Sequence, residues 1–351
     1  MSEASAATPT EKDGASYERI ATISRPATAD TPPRPQIGAE ISGLGVALPP
    51  TVVTNAEVAA RLGIEEEWIV QRTGVRERRL AAPGETLAAW AAKAGAEALA
   101  AAGAEAADLD LVLVATVTND QLTPSAAPQV AAELGATRAG AFDVGAACSG
   151  FVAALSVATG QIEAGRAENV LVIGADLMSR VVDPEDRSTA VVFGDGAGAI
   201  VLRACERGRI GPFVLGADGA NGDLIVATRA DPIVRMQGHE TFRHAVERMS
   251  EITVSATAAA GHELADIDLF VYHQANARIL QAIEARLELP GERIVDCIHR
   301  YGNTTAATIP LTLEEARLAG DLKPGSKVLV AAFGAGLTWG ATVIEWGSED
   351  A

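Results

Sequence analysis

Cys148 lies in the run Asp143-Val-Gly-Ala-Ala-Cys-Ser-Gly-Phe151, where an apolar stretch ends in small residues and a helix-like segment, Phe151-Val-Ala-Ala-Leu-Ser-Val-Ala158, begins. A thiol at such a corner sits at a helix N-terminus, whose unpaired N–H groups and macrodipole favour the thiolate. Gly145, Ala146, Ala147 and Gly150 leave room for a sharp turn and for a substrate to come close to the backbone. Alone, a free cysteine among small residues reads more simply as a buried hydrophobe. Its company argues otherwise. His273 closes the apolar stretch Leu269-Phe-Val-Tyr272, and ligands of α/β sheets are met at the carboxyl ends of strands. Asn303 stands in another small-residue corner, Gly302-Asn-Thr-Thr-Ala-Ala-Thr308, although Asn is also a common turn residue. Together the three residue types suit acyl chemistry on a thiol. The sulfur attacks an acyl carbon, the imidazole moves a proton or donates a hydrogen bond, and the amide donates another to a developing oxyanion. Papain-like proteases use the same three types, so the set does not fix the reaction.

The elements that must position these residues alternate from Ile37 onward. Residues 38–45, 109–117, 141–144, 169–176 and 198–203 read as strands, and 55–62, 86–102, 125–134 and 311–318 as helices. Continuous apolar strands separated by helices predict an α/β sheet covered on both faces. The chain also repeats itself. Ala107-Asp-Leu-Asp-Leu-Val-Leu-Val114 resembles Ala265-Asp-Ile-Asp-Leu-Phe-Val-Tyr272, and Val170-Leu-Val resembles Val328-Leu-Val; 266 − 108 and 328 − 170 both give 158. A shared offset predicts two duplicated α/β halves, 37–205 and 206–351, with an active site at their junction. Position 148 projects near 306, so Cys148 and Asn303 become near-equivalents.

Composition sets the outer limits. The chain has 351 residues, is 48% hydrophobic and carries a formal net charge of −18. That charge argues against nucleic acid and against anionic membranes as partners. Cys148, Cys205 and Cys297 form an odd set without close spacing, which suggests neither a disulfide framework nor a zinc site, and a cytoplasmic setting is expected. No signal peptide and no membrane insertion are expected. Residues 1 to about 36, rich in Ala, Thr, Ser and Pro, read as a disordered tail. The histidines of His239-Glu-Thr-Phe-Arg-His244 are five apart and do not share a helix face, so no metal site is expected there.

Six segments taken together resemble the β-ketoacyl-acyl-carrier-protein synthase III family of the thiolase superfamily. They are Ala147-Cys-Ser-Gly-Phe151, His273-Gln-Ala-Asn276, Gly302-Asn-Thr-Thr-Ala-Ala307, Trp68-Ile-Val-Gln-Arg-Thr-Gly-Val-Arg-Glu-Arg78, Phe193-Gly-Asp-Gly-Ala-Gly198 and Phe333-Gly-Ala-Gly-Leu-Thr-Trp-Gly340. The resemblance spans about residues 38 to 347. It implies a thiolase-like fold, two α/β halves in a five-layered αβαβα core, and a homodimer. It further implies that Cys148 takes an acyl group from acyl-CoA, while His273 and Asn303 stabilise the enolate formed when malonyl-acyl-carrier protein loses carbon dioxide. A Claisen condensation then initiates fatty acid synthesis, with no permanently bound cofactor. Phe333 resembles the aromatic that crowds the departing carboxylate, and the N–H groups of Cys148 and Ala335 resemble an oxyanion hole. Trp68, Arg72, Arg187, Gly238, Phe242 and Asn276 match coenzyme A contacts. Arg243, Gln274, Ala275, Asn276, Ala277 and Arg278 match carrier-protein contacts.

An acidic carrier protein needs a basic patch on an acidic chain, and Arg72, Arg76, Arg78 and Arg79 cluster within one short run. Two positions depart from the family pattern. His239 stands where Asn is common near the pantetheine arm. Thr123 stands where some members place a Phe that crosses the dimer interface and closes the acyl channel, which implies a roomier channel and medium or long acyl primers. An acyltransferase of specialised metabolism with another acceptor is the alternative. A hydrolase would need water in the site, and the chain lacks a papain-type signature.

Overall fold

Thr54 starts the first helix of the chain by a capping box. Its hydroxyl accepts from the Glu57 N–H while the Glu57 carboxylate takes the Thr54 N–H, and Gly63 ends the helix in a left-handed conformation. Thr86 and Gly103 bracket the third helix by the same logic. The computed structural model describes residues 37–347; the tail expected over residues 1 to about 36 lies outside them. In chain order the elements are β1 (Gly38–Ala47), β2 (Thr51–Thr54), α1 (Asn55–Leu62), α2 (Glu66–Thr73), β3 (Glu77–Leu80), α3 (Leu87–Ala102), β4 (Leu111–Ala115), α4 (Ala126–Leu134) and β5 (Gly140–Val144). Next come α5 (Gly150–Glu163), β6 (Asn169–Leu177), β7 (Asp195–Cys205), β8 (Val214–Ala217), β9 (Ile225–Val226), β10 (Arg235–Met236) and α6 (Gly238–Ala259). The chain then runs through β11 (Leu269–Tyr272), α7 (Ala277–Leu287), α8 (Ile298–Tyr301), α9 (Thr308–Ala319), β12 (Lys327–Gly334) and β13 (Thr338–Glu345).

Two sheets carry the fold, in the orders β1-β7-β6-β4-β5 and β11-β12-β13-β8. Read from its other edge, the second sheet repeats the first: β4 and β6 are parallel with Leu111 opposite Val170, and β11 and β12 are parallel with Leu269 opposite Val328. Both pairings obey the 158-residue offset. The counterpart of β5 is reduced to one bridge, Phe270 to Ile294. Alternation along the strands builds the layers. Leu113, Val170, Val172, Val328 and Val330 face the central helices α5 and α9, whereas Val112, Leu171 and Ile173 face α3 and α4. Phe270, Tyr272 and Leu329 face α6 and α7 on the far side. The result is the five-layered αβαβα arrangement of the thiolase fold.

Two differences from the sequence reading bear on the site. The strand expected to 117 stops at Ala115, because Thr116, Val117 and Thr118 turn aside to bind Asp176. Residues 219–236, for which no element was expected, fold into a short helical turn and the β9–β10 hairpin beside the cavity described next.

Candidate active site

A cavity of about 1300 Å³ opens where the carboxyl ends of β11 and β12 meet the turn after β5, and Cys148, His273 and Asn303 all line it. Cys148 occupies a single helical turn, Ala147–Ser149, that leads into α5. Ala147 holds φ at 46°, a conformation costly to a residue with a Cβ. Side chains brace the corner: the Ser149 and Thr338 hydroxyls lie 2.9 Å apart, with the Ala146 and Ala335 carbonyls within hydrogen-bonding reach. Gly334 passes so close that a Cβ there would sit 2.7 Å from the Cys148 nitrogen. Only glycine keeps the space before that N–H clear.

The Cys148 thiol departs from the sequence expectation. Burial first, and the Asp176 carboxyl second, push it up to about 12, while its own backbone N–H pulls the other way. A helix N-terminus contributes at most about 2 kcal/mol, equivalent to roughly one and a half pH units, too little to reverse that rise. Burial therefore favours the thiol over the thiolate at Cys148, although the residue as a whole is only partly buried.

His273 extends the β11 ladder through its N–H to the Ala331 carbonyl at 2.9 Å. Its ring is buried, Nδ1 has no hydrogen-bond partner among the described residues, and burial pushes the imidazole down to about 3. It is neutral at physiological pH. Asn303 follows Gly302, whose φ of 65° brings its backbone against the Val192 carbonyl. The Asn303 N–H donates to Val192 O at 2.9 Å, and its carbonyl accepts from Gly194 N at 3.1 Å. Its Oδ1 accepts from Thr305 N at 2.9 Å, which commits the acceptor side of the amide and leaves Nδ2, a donor, for the cavity. Phe333 and Ala335 line the same space. Asp176 was missed by sequence reasoning; a lone charge closing the apolar run Asn169-Val-Leu-Val-Ile-Gly-Ala-Asp176 was the signal available.

The residues matched to coenzyme contacts reach the cavity mouth. The Arg72 guanidinium lies over the Trp68 ring, 5.3 Å from its centroid. Arg187 donates to Leu62 O at 3.0 Å, and Gly238, His239 and Phe242 also line the cavity. Asn276 is occupied structurally: it donates to Arg72 O at 2.9 Å and caps α7 by accepting from Arg278 N at 2.9 Å. Five arginines (Arg72, Arg180, Arg187, Arg229, Arg278) line the cavity against one carboxylate, Asp120, which is bonded to Arg180. Of these, Arg180 and Arg229 were not singled out from sequence.

Several sequence expectations need correction. Gln274 is buried, donating to the Tyr272 and Val295 carbonyls and accepting from Cys297 N, so its side chain is not a carrier-protein contact. Ala277 packs over Gly74. Arg78 is fully buried, with Asn55 Oδ1 at 2.9 Å and Val191 O at 3.0 Å, and burial pushes it down to about 10; it belongs to the core rather than to a surface patch. Arg79 pairs with Glu77 at 3.3 Å. Arg243 is exposed on α6 and paired with Glu240 at 3.0 Å, while Ala275 and Arg278 reach the cavity. Thr123 does not line the cavity of this chain; its neighbour Leu122 does.

A cysteine from one α/β half that shares its cavity with His and Asn from the other matches the site of a thiolase-fold condensing acyltransferase. Two family models match, 3-oxoacyl-[acyl-carrier-protein] synthase III over residues 142–219 and its C-terminal region over 257–346. The β-ketoacyl-[acyl-carrier-protein] synthase III 2 of Streptomyces coelicolor is 47% identical over 316 residues, 89% of this chain and 95% of that one. Among solved structures, 3-oxoacyl-(acyl carrier protein) synthase III of Pseudomonas aeruginosa matches with a TM-score of 0.85 and 42% identity, covering 89% of this chain and 99% of that chain. The priming β-ketosynthase of a polyketide biosynthetic pathway matches with a TM-score of 0.86 and 36% identity, covering 89% and 97%. The chain belongs to the 3-oxoacyl-[acyl-carrier-protein] synthase III family.

Proposed function

We propose that this enzyme condenses an acyl-CoA primer with malonyl-acyl-carrier protein, carrying the acyl group on Cys148. The Cys148 sulfur attacks the thioester carbonyl, the bond to the coenzyme A sulfur breaks, and the thiol proton ends on that leaving sulfur. The malonyl group then loses carbon dioxide, and the electron pair of the broken C–C bond forms an enolate. Its carbon attacks the Cys148 thioester, the C–S bond breaks, and the released sulfur takes up a proton to regenerate the thiol. The product is a β-ketoacyl-carrier protein.

One observation carries this reading: the cavity that holds Cys148 also holds a neutral imidazole and an amide with its donor side uncommitted. Neutral donors suit a reaction in which charge appears on the thioester oxygen only as the carboxylate departs, because they bind the transition state better than the ground state. N–H groups of Cys148 and Ala335 serve the acyl transfers, and Phe333 crowds the carboxylate. The arginines at the mouth suit a phosphate-bearing arm, with Trp68 and Arg72 on the adenine and Arg187, Gly238, Phe242 and Asn276 along the rest. Arg278, exposed beside the mouth, meets the acidic carrier protein; Arg243 and Ala275 flank it.

Exposed Leu122, Val117 and Phe142, the last on the edge strand β5, support a homodimer formed across this face. Medium or long primers rest on the small side chain of Thr123 at a position where some family members place a Phe that crosses the dimer interface, since Thr123 does not line the cavity of its own chain. No helix among the described residues is long and apolar enough to cross a membrane. The test is a two-stage assay: acyl-CoA first, with acyl-Cys148 detected by mass spectrometry, then malonyl-carrier protein, with the β-ketoacyl product measured across a primer-length series. Release of acid alone sinks the condensing role, and an acetyl preference sinks the primer assignment. The likeness to a priming ketosynthase favours specialised metabolism as the second reading, and an ester or amide product with another acceptor would establish it.

A further inference from the structure

Asp176 is the next-to-last residue of β6, with its side chain fully buried. Oδ1 accepts from Thr116 Oγ1 at 3.0 Å, Val117 N at 2.9 Å and Thr118 Oγ1 at 3.0 Å. Oδ2 accepts from Thr305 Oγ1 and from Ala306 N, the latter at 3.3 Å. The first three donors belong to the half that carries Cys148, and the other two to the corner that carries Asn303. Burial without a cationic partner disfavours the ionised carboxyl and pushes its pKa up, while the hydrogen bonds from Thr305, Val117, Thr118 and Thr116 pull it back. An apolar residue could fill the same volume but could not hold segments of both halves at once, and the reason for that grip lies in the corner it holds.

Thr305 supplies that reason. Its φ is 49°, a conformation that a β-branched residue adopts only when its surroundings over-determine it. Asp176 does so by gripping two adjacent residues, Thr305 through its hydroxyl and Ala306 through its N–H. In that conformation the Thr305 N–H reaches Asn303 Oδ1 at 2.9 Å, and the Asn303 amide is thereby oriented. The equivalent corner of the other half has Ala147 at φ 46°, with no side chain to grip.

We propose that Asp176 is a positioning residue for the decarboxylation step: through Thr305 it sets the direction in which Asn303 Nδ2 donates. This rests on the reading of Asn303 as an enolate donor. Asp176→Asn keeps the shape but turns a donor against Thr305 or Ala306, which loosens the corner. It also removes the carboxyl that raises the Cys148 thiol, so acyl transfer is not expected to slow.

The two steps are measured separately on the full chain: acylation of Cys148 by acyl-CoA, and carbon dioxide release from malonyl-carrier protein by the acylated enzyme. Asp176→Asn should slow the second step by about 10²-fold, the cost of misplacing a catalytic group by about 1 Å, and leave the first unslowed. Thr305→Ala should do the same, whereas Thr305→Ser, which keeps the hydroxyl, should lose far less. In an Asn303→Ala background, Asp176→Asn should add less than about threefold, since residues acting through one another are not additive. Equal slowing of both steps, or effects that multiply in the double variant, overturns the proposal. If Asp176→Asn does not fold, Thr305→Ala slowing release no more than Thr305→Ser overturns it as well. Should Asn303→Ala leave carbon dioxide release unchanged, the reading of Asn303 itself fails, and that outcome is distinct from the others.

Discussion

Ala147 and Thr305 stand 158 residues apart and share one unusual backbone conformation, with φ of 46° and 49°. Each opens a single helical turn at the junction of the halves, one leading into α5 and the other into α9. The turns are exchanged across the pseudo-twofold axis: the Cys148 turn packs on β12 of the second sheet, and the Thr305 turn packs on β6 of the first. The repeat thus places Cys148 of one half in the same cavity as His273 and Asn303 of the other. The equivalence is exact at 147 and 305, so Cys148 corresponds to Ala306, and Asn303 corresponds to Gly145 rather than to the cysteine.

Gly334 is where a side chain would obstruct this exchange. A Cβ there meets the Cys148 nitrogen at 2.7 Å and its Cβ at 3.1 Å. Gly334→Ala should slow acylation of Cys148 by about 10²-fold or more, as expected for loss of one oxyanion-hole donor. Single-turnover acylation followed by mass spectrometry measures it, and a rate within twofold of wild type contradicts the assignment.

The raised thiol makes a prediction about reactivity. With Cys148 pushed up to about 12, its alkylation by iodoacetamide should be slow at pH 7 and should keep rising beyond pH 9. A plateau between pH 7 and 8 would mean that the helix N-terminus outweighs burial after all.

His273 makes a prediction about stability. The unfolded chain binds a proton at this side chain as pH falls through about 6.5, but the folded chain does so only near 3. Between those values the unfolded state holds more protons, so stability is lost as pH falls, by about 1.4 kcal/mol per pH unit. Denaturant titrations at pH 7 and pH 5 should show wild type losing about 2 kcal/mol more than His273→Asn. Equal losses refute the neutral, buried imidazole. The same neutrality predicts no imidazole inflection in carbon dioxide release between pH 5 and 8.

Arg278 tests the carrier-protein surface. Its guanidinium lies 5.8 Å over the Phe242 ring at the cavity mouth, whereas Arg243 is already paired with Glu240. Arg278→Glu should raise KM for malonyl-carrier protein roughly tenfold, about 1.4 kcal/mol, while acylation by acyl-CoA stays near wild type. Arg243→Glu should do less. Equal loss in both half-reactions for Arg278→Glu would remove the patch from this face.

By itself the sequence determined the alternation of strands and helices, the 158-residue repeat and the three residue types of the site. These are properties of local pattern: apolar periodicity, small-residue corners, and a polar residue at the end of an apolar run. Thr54 and Glu57 capped a helix whose limits, 55–62, could be read directly. Which polar residues turn inward was decided only by the tertiary structure. Arg78 looked like its neighbours Arg76 and Arg79, and Gln274 like its neighbour Asn276, yet Arg78 and Gln274 are buried among backbone carbonyls. Burial depends on what packs above a residue, and here that includes segments more than twenty residues away, Asn55 and Val191 around Arg78 and Val295 and Cys297 around Gln274. Asp176 is the clearest case. Its donors come from positions 116–118 and 305–306, which become neighbours only when the two halves fold against each other.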